Sequence, residues 1–132
     1  MTIFKHGEHP MSPADPHTFA GAAKTQRLAH VEEGLPTAVY RVEFGDGGRT
    51  NWHTHSGPQW LLVIDGRIRV QAWGESPQDV ECGGAVMIPP GEKHWHGAAP
   101  GSHGTHFAVN VDATTDWGER VETTEELGNW GT

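Results

Sequence analysis

Cysteine is almost missing from this chain: Cys82 stands alone, so no disulfide framework is available and a reducing cytoplasm is the expected setting. Basic residues are also scarce. Nine Lys and Arg face 17 Asp and Glu, for a formal net charge of −8. That disfavours nucleic acid and anionic membranes as partners, since both select basic patches. No apolar run approaches the roughly 20 residues needed to span a bilayer. The first ten residues, which hold Lys5, His6, Glu8 and His9, lack the apolar stretch of a secretory leader. Tyrosine occurs once, at Tyr40, against six Trp and ten His. Histidine is the commonest metal ligand and the usual acid–base group near neutral pH. The functional question is therefore where the histidines fall.

Eighteen Gly and nine Pro across 132 residues cut the chain into short segments. Many short strands and almost no helix predict an all-β sandwich or barrel. The length suits one domain over 1–132, with its strand core at about 37–111 and an irregular arm over residues 1–17. Thr37 to Phe44 alternates, with Ala38, Tyr40, Val42 and Phe44 on one face, as in a half-buried strand. Gln59 to Ile64 is apolar on both faces. Leu61 and Val63 share a face with Gln59, whereas Trp60, Leu62 and Ile64 need a second cover. A homodimer or homotetramer is expected to supply it. Asp65-Gly66 reads as a hairpin turn leading into Arg67 to Trp73. Shorter strands follow near 79–82, 85–88 and 94–96, with a late strand at 105–111. Thr123 and Glu126 have capping-box spacing, which predicts a short C-terminal helix.

His53 and His55 are two residues apart, so on a strand both imidazoles face one point. Gln59 opens the next strand after Ser56-Gly57-Pro58, and His94 arrives from a later hairpin. Three imidazoles and a carboxamide oxygen make a first-row metal site with open positions for water or substrate. All four donors are neutral, so a bound ion keeps its full 2+ charge and acts as a strong Lewis acid. Ligand type alone does not choose among manganese, iron, nickel, cobalt and zinc.

The spacing carries a resemblance. Gly47-x5-His53-x-His55-x3-Gln59-x6-Gly66 resembles the first motif of the cupin family, and Gly83-x5-Pro89-x-Gly91-x2-His94 resembles the second. Gln59 replaces the usual Glu, and Ala98 stands where the second motif often ends in Asn. The family implies a single-domain antiparallel β-barrel, or jelly roll. Residues 91–98, Thr105-His106 and the tail from Trp117 to Leu127 are similar to small bacterial cupins that include manganese-dependent hydroxynitrile lyases. That resemblance implies manganese held by His53, His55, Gln59 and His94, with Thr50, His96 and His106 as catalytic pocket residues. Tyr40, Val42 and Asn110 become pocket lining; Tyr40 is bulkier than the expected residue, and Asn110 replaces a Gln. Strand parity independently aligns His96 with His94, and His106 with Ala108 and Asn110.

The expected activity is metal-dependent lyase chemistry on a small organic molecule, hydroxynitrile cleavage or synthesis first. An iron or manganese dioxygenase and a non-catalytic ligand-binding cupin are the alternatives. His6, His9, His17, His30 and His103 form no pattern and read as solvated; Cys82 reads as packing. Trp60 and Trp95 read as interface or core residues.

Overall fold

The computed structural model describes residues 1–121. Twelve strands follow one another: β1 (Ser12–Pro13), β2 (Phe19–Ala20), β3 (Ala23–Val31), β4 (Thr37–Phe44), β5 (Arg49–Thr50) and β6 (His53–His55), then β7 (Gln59–Ala72), β8 (Gln78–Glu81), β9 (Ala85–Ile88), β10 (His94–Gly97), β11 (Gly104–Val111) and β12 (Thr115–Trp117). No helix occurs among the described residues. The helix expected at Thr123 to Glu126 lies outside them.

All pairings are antiparallel, and the strands form one curled sheet in the order β1-β3-β4-β11-β7-β10-β5-β2. Strands β8 and β9 also pair with β7, while β6 pairs with β10 and β12. The curl runs through β7. Its first half pairs with β11 and β9, its second half with β10 and β8.

That arrangement corrects the expected hairpin at Asp65-Gly66. The chain does not reverse there; β7 continues for 14 residues. Gly66 has φ 61°, and a Cβ on it would lie 2.4 Å from the His103 carbonyl oxygen. The glycine thus serves a bend with close backbone approach rather than a turn. The β11 register against β7 shifts between Thr105 and His106, beside this bend. Partners on both sides of β7 keep it extended.

Strand β3 was not expected from the sequence. It pairs with β4 along the latter's whole length, yet its residues AKTQRLAHV show no clean alternation. Most of β3 is exposed or half-buried, so packing puts little constraint on its pattern.

Parity is obeyed where burial is strong. Leu61 and Val63 are 0 % and 3 % exposed, while the alternating Trp60 and Leu62 are 46 % and 40 %. The inward face joins two apolar clusters: Val42, Phe44, Val63, Ile68 and Ala98, and Leu61, Ile88 and Ala108. A third cluster of Trp52, Trp95 and Val121 holds the tail of the described chain against β10. Trp95 is core, its Nε1 donating to Gln71 Oε1 at 2.7 Å. Cys82 is exposed rather than packed, because it sits at the tip beyond β8.

Candidate metal centre and its pocket

His53 and His55 point inward from β6, and His94 on β10 is the direct cross-strand partner of His53. Gln59 starts β7 and faces Asn110 of β11 across the sheet. The four residues are buried together. Ring centroids lie 4.2 Å apart for His53 and His94, 4.9 Å for His53 and His55, and 5.4 Å for His55 and His94.

The hydrogen bonds show which atoms are left over. His53 Nδ1 lies 2.8 Å from the Asn51 carbonyl oxygen, and His94 Nδ1 lies 2.9 Å from that of Glu92. A carbonyl can only accept, so each Nδ1 carries the proton and each Nε2 presents a lone pair. His55 Nδ1 is held by the Thr115 hydroxyl at 3.0 Å, and its buried Nε2 has no partner. Gln59 Nε2 donates to Asn110 Oδ1 at 2.8 Å, which leaves Gln59 Oε1 at 3.2 Å from His94 Nε2. With His94 neutral, two acceptors face each other with no proton between them. Such a contact is repulsive unless a cation lies against both. The donor set fits a divalent transition metal, with each imidazole fixed by a distal partner as metal-binding histidines generally are.

By distance alone, nitrogens of His53, His94 and His96 also form a three-histidine cluster able to hold a metal ion, all within 4.8 Å of one another. His96 differs from the others in its partner. Its Nδ1 faces His106 Nε2 at 2.9 Å, one imidazole against another, rather than a carbonyl or hydroxyl. Its Nε2 and the His106 Nδ1 are buried without partners. The pair is therefore suited to passing a proton between rings.

Burial keeps all five imidazoles uncharged. Desolvation is the leading cause at each, taking His94 and His106 down to about 4 and lowering His53, His55 and His96. Neighbouring histidines push the same way at His53, His94 and His96, since a second positive ring nearby is unfavourable.

A cavity of about 310 Å³ opens on this cluster. Of the residues singled out from the sequence, Tyr40, Val42, Thr50, His53, His55, Gln59, His96 and Asn110 line it. His106 does not; it is fully buried behind His96 and reaches the cavity only through that ring. His94 lines a separate cavity of about 170 Å³. The Thr50 hydroxyl accepts from the His96 backbone N–H at 3.2 Å, which ties β10 to β5 beside the cavity. Phe19, Thr25, Thr115 and Trp117, which no motif marks in the sequence, complete much of the wall. Thr115 and Trp117 share an i, i+2 face of β12, a signal that three residues are too few to make visible. The Trp117 ring packs 4.6 Å from that of His53. His6, His9, His17, His30 and His103 are exposed, as expected.

Comparison with known proteins agrees with this geometry. The Cupin domain family model matches residues 40–109, which contain all four expected ligands. The chain is 38 % identical over 112 residues to an (R)-mandelonitrile lyase of Granulicella tundricola, covering 83 % of this chain and 84 % of that protein. A cupin-like protein from Thermotoga maritima superposes with a TM-score of 0.84 at 33 % identity, covering 98 % and 97 % of the two chains. A polyketide cyclase from Streptomyces resistomycificus shares the fold, with a TM-score of 0.69 at 18 % identity over 96 % and 89 %. An all-β curled sheet, a buried histidine cluster on its inner face and both sequence motifs agree: the chain is a member of the cupin family.

Proposed function

We propose that this chain is a metal-dependent lyase that cleaves cyanohydrins to a carbonyl compound and hydrogen cyanide, and runs the reverse addition. The observation that carries the reading is the unpaired contact of Gln59 Oε1 and His94 Nε2 beside a cavity lined by Gln59 and by His96, whose buried Nε2 has no partner. The similarity to an (R)-mandelonitrile lyase supports the choice of reaction.

His53, His55, Gln59 and His94 would hold one divalent ion, manganese first. When bound, that ion supplies a Lewis acid that stabilises negative charge developing on the substrate oxygen. The protein residues handle the proton. His96, a neutral ring in the cavity wall whose buried Nε2 has no partner, would take it from the substrate hydroxyl. Electrons of the O–H bond form the carbonyl, and the C–CN bond breaks with its pair leaving on cyanide. The proton then returns to cyanide, so nothing is gained or lost by the enzyme. His106, bonded to His96 Nδ1, shares the positive charge while it lasts. Thr50 sets the height of His96 through the backbone. Tyr40 and Val42 line the cavity and would meet the substrate's carbon substituent.

The test is release of cyanide and benzaldehyde from mandelonitrile by manganese-loaded protein. Release above that of free manganese and of metal-free protein is expected. A rate equal to those controls ends the lyase reading; oxygen uptake with a product then identifies a dioxygenase, and ligand binding without product a binding protein.

A further inference from the structure

We infer that Asn110 is a positioning residue that supports the setting of Gln59 in which its amide oxygen faces the metal ligands. It does so by taking the Gln59 amide nitrogen and turning the amide oxygen toward His94. The inference rests on the metal-centre reading above and adds a residue to it.

Gln59 and Asn110 are direct cross-strand neighbours on β7 and β11 and both line the cavity. Gln59 Nε2 donates to Asn110 Oδ1 at 2.8 Å, and Gln59 Oε1 is 3.2 Å from His94 Nε2. A carboxamide has nearly the same shape with its oxygen and nitrogen exchanged, so shape does not fix its direction. Chemistry does. His94 Nδ1–H is committed to the Glu92 carbonyl, so His94 Nε2 is an acceptor. An isolated Gln59 would turn its NH2 toward that lone pair and gain a hydrogen bond. The same turn would aim two N–H hydrogens at the place where a cation must sit and remove the oxygen donor. With the Asn110 amide set as it is in the structure, its oxygen opposes this turn, because it offers the Gln59 NH2 an acceptor on the other side.

Asn110 is itself a carboxamide, so the pair has two consistent settings. In one, the Asn110 oxygen holds the Gln59 nitrogen and the Gln59 oxygen faces His94. In the other, both amides are reversed, and Gln59 donates to His94. A bound cation favours the first, since only there does it meet an oxygen. Aspartate at position 110 can only accept and so locks the first setting. Leucine there supports neither, and leaves Gln59 to bond with His94.

The experiment is a chelator-competition titration of manganese against metal-free wild type, Asn110→Leu and Asn110→Asp, alongside thermal melts of each. Asn110→Leu is expected to weaken manganese binding by about 10–100-fold while melting as a folded protein. Asn110→Asp is expected to bind at least as tightly as wild type. Wild-type affinity in Asn110→Leu, or a loss in Asn110→Asp matching that in Asn110→Leu, overturns the role given to Asn110 and leaves the metal centre standing. Absence of binding in wild type overturns both.

Discussion

Lowering the pH from about 6.5 to about 4 should destabilise the metal-free protein, and the histidine cluster sets the size of the loss. His94 and His106 are 2 % and 0 % exposed, and burial takes each from 6.5 to about 4. Across that window the unfolded chain binds protons at these two positions and the folded protein does not. Stability is therefore unaffected by them above about pH 6.5, falls as the pH drops, and stops falling below about pH 4. At about 1.4 kcal/mol per unit, the full cost is about 3 kcal/mol for each group, of which about 2 kcal/mol is reached near pH 5. His53 and His96 are lowered by the same burial and add in the same direction. Against a total of about 5–15 kcal/mol for a domain, two such groups weaken the fold severely. Urea melts of metal-free protein at neutral pH and near pH 5 measure the effect. His106→Leu, which fills the site with an apolar side chain, should reduce the pH slope by one group's share. Equal urea midpoints at the two pH values, or an unchanged slope in His106→Leu, would refute the reasoning.

Other expectations follow from single contacts. Thr115→Val removes the hydroxyl that holds His55 Nδ1 and keeps the shape, so metal affinity should fall about 10-fold or more, with Thr115→Ser near wild type in the same titration. His106→Ala should retain the metal by elemental analysis yet lose about 10²–10⁴-fold in turnover, because the proton is then left on His96 alone. Trp60, Leu62 and Met87 are large apolar side chains exposed on β7 and β9, with Trp60 directly opposite Met87. A second copy of the chain would cover them, so light scattering should report a dimer and Leu62→Lys should shift it to monomer; a wild-type monomer would contradict this.

The sequence was most informative where one face of a strand is buried and chemistry recurs every second residue. His53 with His55, Gln59 with Leu61 and Val63, and His106 with Ala108 and Asn110 all lie on the inward faces that parity assigns. The same logic marked Trp60 and Leu62 as outward. What pattern did not reveal is set by backbone or by distance along the chain. The carbonyls of Asn51 and Glu92 fix the tautomers of His53 and His94, and a carbonyl has no residue signature. Thr115 reaches His55 across 60 residues, and Asn110 reaches Gln59 across 51. Asp65-Gly66 has turn chemistry, but strands on both sides of β7 hold it open as a bend. Strand β3 carries no pattern in the sequence because a largely exposed strand needs no alternation. That His106 lies behind His96, bonded to its ring, follows from packing depth, which periodicity does not report.

The central claim is that four neutral side chains gather one cation on the inner face of the sheet. Elemental analysis of protein purified without a His tag, beside the His53→Ala, His94→Ala double variant, tests it most directly. One divalent transition-metal ion per wild-type chain and its loss in the variant is the predicted result. Equal metal content in the two proteins, or none in wild type supplied with manganese, would contradict it.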